Sequence, residues 1–173
     1  MKSVWLDLEG AAPSAPHLHP MRNHPAHHPI HDRDGRSVIV FLTVCTHRRK
    51  PILARAEAMA ILRNAWSKAK LWRVGRWVLM PDHVHLFCSP ATVPPEPLVR
   101  WVSYWKAEAA RHWPRGAEHP LWQRDFWDTQ LRHADSYSAK WSYVRLNPVR
   151  MGLIDCEAAW PFQGEENVLC WRE

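Results

Sequence analysis

WVLMPDHVHLF, at residues 77–87, is the stretch from which the rest of the fold follows. Residues 77–80 are an apolar run typical of a buried strand, and Pro81-Asp82 is a turn signal that introduces a second strand over residues 83–88. His83 and His85 are two residues apart in that second strand, so their side chains leave the same face. The stretch predicts a β-hairpin whose paired histidines could bind one metal ion, although two ordinary strand histidines would give the same pattern.

A second informative stretch, YSAKWSYVRLNP at residues 137–148, has the length of three helical turns and ends at a proline. Tyr137, Trp141 and Val144 recur at the helical period and predict a buried stripe. Ser136, Lys140, Tyr143 and Asn147 form a separate row along the same helix.

Tyr143 and Asn147 in this polar row are candidates for a nucleophile and a metal ligand. Asn147 follows Tyr143 by one helical turn, which places an amide oxygen beside the phenol. One ion held by His83, His85 and Asn147, next to a tyrosine nucleophile, is the layout of a metal-assisted transesterification. The spacing is equally compatible with Tyr143 being an amphipathic surface residue at the edge of the core.

Four blocks of the chain, in order, resemble one family. MPDHVHLF (residues 80–87) resembles the histidine signature of single-tyrosine HUH endonucleases, and YVRLNPVRMGLI (143–154) resembles the tyrosine helix of IS200-like transposases. LWQRDFWDTQLR (121–132) and WPFQG (160–164) resemble segments of the REP-associated tyrosine transposase branch. The similarity runs from about residue 38 to residue 164. The chain differs most from the family in its N-terminal 36 residues.

This resemblance implies a mechanism and a substrate. Tyr143 would attack single-stranded DNA and become joined to the 5′-phosphate, with a divalent ion, Mg²⁺ or Mn²⁺, held by His83, His85 and Asn147. Imidazole ligands also suit Zn²⁺, so the ion is not fixed by the sequence. The DNA would often carry a hairpin or palindromic repeat. The branch favours a monomer acting in cis, while other IS200-like relatives are dimers.

Composition limits the class of protein. The chain has 173 residues, 46% of them hydrophobic and 23% charged, which suits one globular domain. No apolar run is long enough for a transmembrane helix, and the start lacks a signal-peptide pattern. Its four cysteines are widely spaced, as expected of reduced thiols. We therefore expect a cytoplasmic protein, nucleoid-associated when acting, with no membrane partner.

The first 36 residues differ from the rest, with five prolines and six of the twelve histidines. Such a segment has little to bury, so we expect a flexible arm over residues 1–36 and a folded IS200-like domain over residues 37–173. The charges of the arm balance, so the net charge of +6 belongs to the domain.

The predicted elements alternate in a recognisable order. A β-branched strand at residues 38–44, a helix at 54–72, the histidine hairpin, a helix at 98–113 and a strand within 121–132 precede the tyrosine helix. This order is a split βαβ pattern. It predicts an α+β, ferredoxin-like antiparallel sheet with helices on one side, as the resemblance to HUH endonucleases also implies.

Basic residues suggest a polyanionic partner. Residues 48–76 hold nine basic residues and one acidic residue. The candidate DNA contacts, each of which could instead be a solvated surface charge, are Arg48, Arg49, Lys106, Arg124, Arg132 and Lys140. Three of the twelve tryptophans, Trp72, Trp122 and Trp127, stand beside basic residues and could stack on unpaired bases, although core packing is the commoner role.

Two other functional classes remain open from the sequence. A non-catalytic DNA-binding protein could keep the scaffold and the basic surface. A nucleotide hydrolase of the histidine-triad kind would need a third histidine at position 87, where the chain has Phe87.

Overall fold

The computed structural model describes residues 37–171, so the arm predicted over residues 1–36 lies outside the described residues. In this part of the chain the strands are β1 (Val40–Cys45), β2 (Trp72–Met80), β3 (His83–Pro90), β4 (Trp127–Gln130) and β5 (Gln163–Glu165). The helices are α1 (Ala56–Lys68), α2 (Leu98–Arg111), α3 (Ala134–Arg145) and the short α4 (Asn147–Arg150). A 3₁₀ turn, His47–Arg49, follows β1.

The strands form one antiparallel sheet in the order β4-β1-β3-β2-β5. Its first four strands, with α1 and α2, follow the βαββαβ order of a ferredoxin-like unit. The α+β class and the antiparallel ferredoxin-like sheet predicted from the sequence are confirmed. The edge strand β5, which falls in the WPFQG segment, is an addition that the sequence analysis did not predict.

Strand register decides which face of the sheet carries the histidines. Thr43 lies opposite His85 in the β1–β3 pairing, and Cys45 lies opposite His83. Residues paired directly across an antiparallel ladder project to the same side of the sheet. The side that carries His83, His85, Thr43 and Cys45 is called the histidine face below.

The opposite face is covered by α1 and α2. The core there is rich in indole rings, since Trp101 and Trp105 are fully buried and Trp66 packs within 6.2 Å of Trp105. The Trp101 indole N–H donates a 2.9 Å hydrogen bond to the Ala69 carbonyl at the end of α1. Because each tryptophan buries a large apolar area, these rings stabilise the packing of both helices on the sheet.

Helix α3 packs on the histidine face, with the Tyr137 ring edge-on to Phe87 at 4.9 Å. Val144 of α3 joins a cluster with Val78 and Met80 of β2. The prediction of helices on one side therefore holds for α1 and α2, but α3 lies on the other face. The physical reason is that β3 is apolar on both faces, with Leu86 toward α1 and α2 and Phe87 toward α3.

Several element boundaries differ from the sequence prediction. Helix α1 ends at Lys68 and Trp72 begins β2, so the helix predicted over residues 54–72 was too long. Trp72 fits the helical period as well as a strand start, and its local sequence does not separate the two. The tyrosine helix breaks at Leu146, before Pro148, since proline has no N–H for the carbonyl four residues earlier.

Other global predictions concern cysteines and membranes. Among the described residues, Cys45 and Cys88 are buried free thiols, and Cys156 and Cys170 are exposed free thiols, as the cysteine spacing predicted. Over residues 37–171, we find no helix with the length and apolar character needed to cross a bilayer.

Candidate active site

The two hairpin histidines face each other at the start of β3. Their Nε2 atoms lie 3.0 Å apart and their rings meet edge-on at 4.6 Å. Each Nδ1 atom has its own partner: the His83 Nδ1 lies 2.7 Å from the Asp82 carboxylate, and the His85 Nδ1 lies 2.8 Å from the Thr43 hydroxyl. These partners hold both rings, with the two Nε2 atoms within hydrogen-bond distance of each other.

Burial sets the charge of both imidazoles. Desolvation lowers the pKa of His85 to about 3, helped by the charges of His83, Arg49 and Lys140. Desolvation also lowers the pKa of His83, although the hydrogen bond to Asp82 acts in the opposite direction. Both rings are therefore neutral near neutral pH, which is the form of histidine that binds metals.

The 3₁₀ turn after β1 supports the hairpin turn. The Arg49 Nε lies 2.7 Å from the second Asp82 carboxylate oxygen, so Asp82 is held between Arg49 and His83. The buried Thr46 hydroxyl lies 2.9 Å from the Asp82 carbonyl oxygen. Arg48 and Arg49 have φ values of 55° and 56°, in the left-handed region that is unfavourable for side chains other than glycine. Such strain is retained where the surrounding contacts require it.

Tyr143 lies on α3 and is 44% exposed. The Lys140 ammonium lies 5.9 Å from the centre of the Tyr143 ring and 5.3 Å from that of Phe41. Phe41 in turn stacks on His85 at 5.4 Å. A chain of contacts thus connects the tyrosine to the histidine pair across the same face of the sheet.

Asn147 and Arg150 lie beside the tyrosine at the start and end of α4. The Arg150 guanidinium covers the Tyr143 ring at 4.1 Å, and one of its Nη atoms donates to the Tyr143 carbonyl at 2.9 Å. The same nitrogen makes a long contact of 3.4 Å with the Asn147 amide oxygen. Tyr143 is therefore flanked by two cations, Lys140 and Arg150, and lies next to an amide.

The donor atoms present limit what could hold a metal ion. Within the described part of the chain, no three His, Cys, Asp or Glu side chains lie close enough to form a metal site. The two imidazoles fit an ion, since two neutral rings held with their Nε2 atoms 3.0 Å apart can supply two ligands. Within residues 37–171, a third protein ligand would be of another type, such as an amide oxygen.

The residues predicted to contact DNA differ in exposure and in their partners. Arg48, Arg124 and Arg132 are exposed. Arg49 is bound to Asp82. Lys106 was expected to be exposed, but its ammonium donates to the carbonyls of Gln123 and Arg124 at 2.7 and 3.0 Å, because the loop before β4 folds back over it.

The three tryptophans considered for base stacking also differ. Trp72 is buried in the core, and its N–H donates to the Glu96 carbonyl at 3.0 Å, so the stacking interpretation of Trp72 was wrong. Trp122 is half-buried against Trp105 at 5.5 Å. Trp127 is 49% exposed.

Sequence reasoning missed four side chains that shape this site. Asp82 directly precedes His83, so its proximity to the histidine pair could have been noticed. Arg150 follows Tyr143 by two helical turns, which is also a readable signal. Thr43 and Phe41 gave no signal, because their closeness to His85 depends on the pairing of β1 with β3.

Comparison with known proteins adds independent evidence about the function of this site. No family model matches the chain. A REP-associated tyrosine transposase of Escherichia coli K12 is 27% identical over 125 residues, which is 70% of this chain and 73% of that protein. A Haemophilus influenzae relative with the same family name is 25% identical over 95 residues, covering 49% of this chain and 53% of that protein.

A solved structure also matches. A REP-associated tyrosine transposase bound to a REP hairpin has a TM-score of 0.63 and 23% identity, covering 79% of this chain and 82% of that chain. This similarity shows that the two proteins share a fold. Taken with the two sequence relatives, it shows that the chain is similar to REP-associated tyrosine transposases in sequence and in fold, which supports a transposase-like enzyme that processes DNA.

Proposed function

We propose that this protein cuts and rejoins single-stranded DNA through a covalent bond between Tyr143 and a 5′-phosphate. The observation that carries the proposal is the pair of neutral imidazoles whose Nε2 atoms lie 3.0 Å apart, on the sheet face that also bears the tyrosine helix. The contacts from His85 through Phe41 and Lys140 to Tyr143 support a single reaction centre.

His83, His85 and Asn147 are the residues that we propose hold a divalent ion, Mg²⁺ or Mn²⁺. Asp82 accepts the Nδ1–H of His83, which leaves the Nε2 lone pair of His83 directed at His85. The contact between Arg150 and the Asn147 amide oxygen is long, and that oxygen keeps a second lone pair. A bound divalent ion would neutralise a phosphate oxygen and make the phosphorus more electrophilic.

Tyr143 is the best nucleophile among the three tyrosines of the chain. Tyr137 is buried against Phe87, and burial raises the pKa of its phenol. Tyr104 is exposed on α2, which packs on the opposite face from the histidines. Of the three, Tyr143 is the exposed tyrosine on the helix that packs on the histidine face.

The proposed step conserves bonds and protons. The Tyr143 oxygen attacks phosphorus, the bond from phosphorus to the 3′ oxygen breaks, and the phenol proton ends on the departing 3′ oxygen. Lys140 and Arg150, which flank the ring, would bind the phosphate oxygens at this position. The free 3′-OH can run the same step in reverse, so cutting and joining need no energy cofactor.

We propose DNA with a hairpin as the substrate, because the structural relative was solved with a REP hairpin. The net charge of +6 supports binding to a polyanion. A monomer is the assembly that we propose, since one chain carries the histidines, Tyr143 and Asn147.

The test is a cleavage assay on single-stranded hairpin DNA from the flanks of the protein's own gene, with and without Mg²⁺ or Mn²⁺. We expect a metal-dependent band of DNA-linked protein on a denaturing gel, and its loss in Tyr143→Phe.

Matched controls come from the other two tyrosines. Tyr104→Phe and Tyr137→Phe should both keep the band, so the three variants cover every tyrosine of the chain. Adduct that persists in Tyr143→Phe would contradict the assignment. DNA binding without an adduct, across several ions and hairpins, would favour a non-catalytic DNA-binding protein on this scaffold.

A further inference from the structure

Helix α3 covers only part of the histidine face. Its Tyr137 packs on Phe87 of β3 at 4.9 Å, and its Val144 packs with Val78 and Met80 of β2. One edge of the sheet is β4, which pairs with β1 and is an edge strand in the described part of the chain. At the β1–β4 edge the histidine face is partly exposed, since Trp127 and Thr129 are exposed and Thr43 is half-buried, although Phe41 packs with the cluster that contains Tyr137 of α3.

This partly exposed area leads to the histidine pair. Trp127 lies opposite Thr43, and Thr129 lies opposite Phe41, in the β1–β4 pairing. Both β4 side chains project on the histidine face, because the Thr43 hydroxyl contacts the His85 ring. Thr43, Trp127 and Thr129 are named the β4 shelf here. Two interstrand spacings, about 10 Å, separate the backbone of β4 from that of β3.

The chemistry of the shelf combines an aromatic ring with positive charge. Trp127 is 49% exposed, although a tryptophan side chain normally buries most of its area. Lys140 lies above Phe41 at the inner margin of the shelf. Arg124 and Arg132, both exposed, precede and follow β4. Asp128, the acidic residue of β4, pairs with Leu42 and so projects toward the opposite face.

We infer that the β4 shelf binds the unpaired part of the DNA strand, with one base stacked on Trp127 and the adjoining backbone directed toward His85 and Tyr143. The inference rests on the proposed function. An exposed indole between cations is how proteins hold single strands, because every unpaired base offers a π-face and every linkage a negative charge. A duplex is excluded from this contact, since its bases are stacked on one another.

The inference is tested by binding alone, without divalent ions, using fluorescence anisotropy of a labelled single strand from the hairpin flank. Trp127→Ala should weaken binding roughly 5- to 150-fold, the range expected for loss of one stacked base, and Trp127→Phe should keep most of the affinity. Tyr104→Ala is the matched control, because Tyr104 is 48% exposed but lies on α2, which covers the other face. It should bind as the wild type does.

A scan of abasic sites along the oligonucleotide locates the stacked base without changing the protein. One abasic position should weaken wild-type binding, and Trp127→Ala should be insensitive at that position. Wild-type affinity in Trp127→Ala would overturn the inference, and so would an altered oligomeric state of this variant with unchanged DNA binding, which would assign the edge to self-association. Absence of a Tyr143–DNA adduct in the wild-type protein, with the effect of Trp127→Ala on binding intact, would refute the transesterification but not DNA binding by the β4 shelf.

Discussion

Asp82→Ala tests whether the carboxylate between Arg49 and His83 orients the proposed metal site. The Asp82 carboxylate accepts from the His83 Nδ1–H at 2.7 Å and pairs with the Arg49 Nε at 2.7 Å. Removing it leaves the His83 ring free to rotate and to place its proton on either nitrogen. The Nε2 lone pair would then no longer be fixed toward His85.

The contacts of Asp82 set the size of the effect. A hydrogen bond to a charged group contributes about 1.5–3 kcal/mol, and the Asp82 side chain is only 24% exposed. The Arg49 side chain is 49% exposed, so solvent screening reduces the value of that pair to about 0–1 kcal/mol. Loss of a carboxylate that orients a metal-binding histidine weakens metal affinity about 10- to 100-fold. We expect that weakening for Mn²⁺, with a smaller loss of folding stability.

The assay is calorimetric titration of Mn²⁺ into the DNA-free protein, paired with guanidinium unfolding of the same samples. Arg49→Gln should show a smaller weakening than Asp82→Ala, because the histidine contact of Asp82 remains. Arg48→Gln, which changes an exposed neighbour in the same turn, should bind Mn²⁺ as the wild type does.

Two results would refute this reasoning about Asp82. Wild-type Mn²⁺ affinity in Asp82→Ala would mean that the carboxylate does not orient the site. A fall in stability without a fall in affinity would assign Asp82 a structural role only. Failure of the wild-type protein to bind Mn²⁺ would instead reject the proposed metal site itself.

Three further predictions concern the fold. Arg48→Gly should raise the free energy of unfolding by about 0.5–1 kcal/mol in guanidinium, because glycine tolerates the φ of 55°. Gly164→Ala should lower it by about 1–3 kcal/mol, since the new Cβ would lie 2.7 Å from the buried Trp77 ring. Glu108→Gln should destabilise the protein near neutral pH in denaturant titrations. The hydrogen bond from Lys68 lowers the pKa of Glu108, so its contribution is present above the ordinary carboxylate pKa, and the difference from wild type should shrink on acidification below about pH 4.

The hairpin was the most predictable part of the molecule, because its signals are local. An apolar run, a Pro-Asp turn and a period of two sufficed to place the end of β2 at Met80 and the start of β3 at His83. The facing of His83 and His85 followed from the same period. The network of Arg49 and Asp82 could not be predicted, since it depends on two left-handed residues in the turn after β1.

The three tryptophans show where sequence reasoning ends. Trp72, Trp122 and Trp127 carry the same local signal, an aromatic ring beside a basic residue. Tertiary packing separates them, since Trp72 is buried below α2, Trp122 is held by Trp105, and Trp127 stands on an edge strand. The exposure of a single tryptophan is decided by which strand is an edge, and that is a property of the complete sheet.

The alternation of β3 side chains between the two faces of the sheet links the fold to the candidate site. Leu86 and Cys88 point into the core under α1 and α2, so His83, His85 and Phe87 must point to the other face. Because α1 and α2 already cover one face, the tyrosine helix can reach the histidines only from the face that these helices leave open. A register shift of one residue in β3 would send both imidazoles into the tryptophan core, away from Tyr143. The same alternation therefore places the apolar side chains in the core and the histidines on the face that carries α3. A change of register in this hairpin would disturb both the stability of the fold and the candidate site.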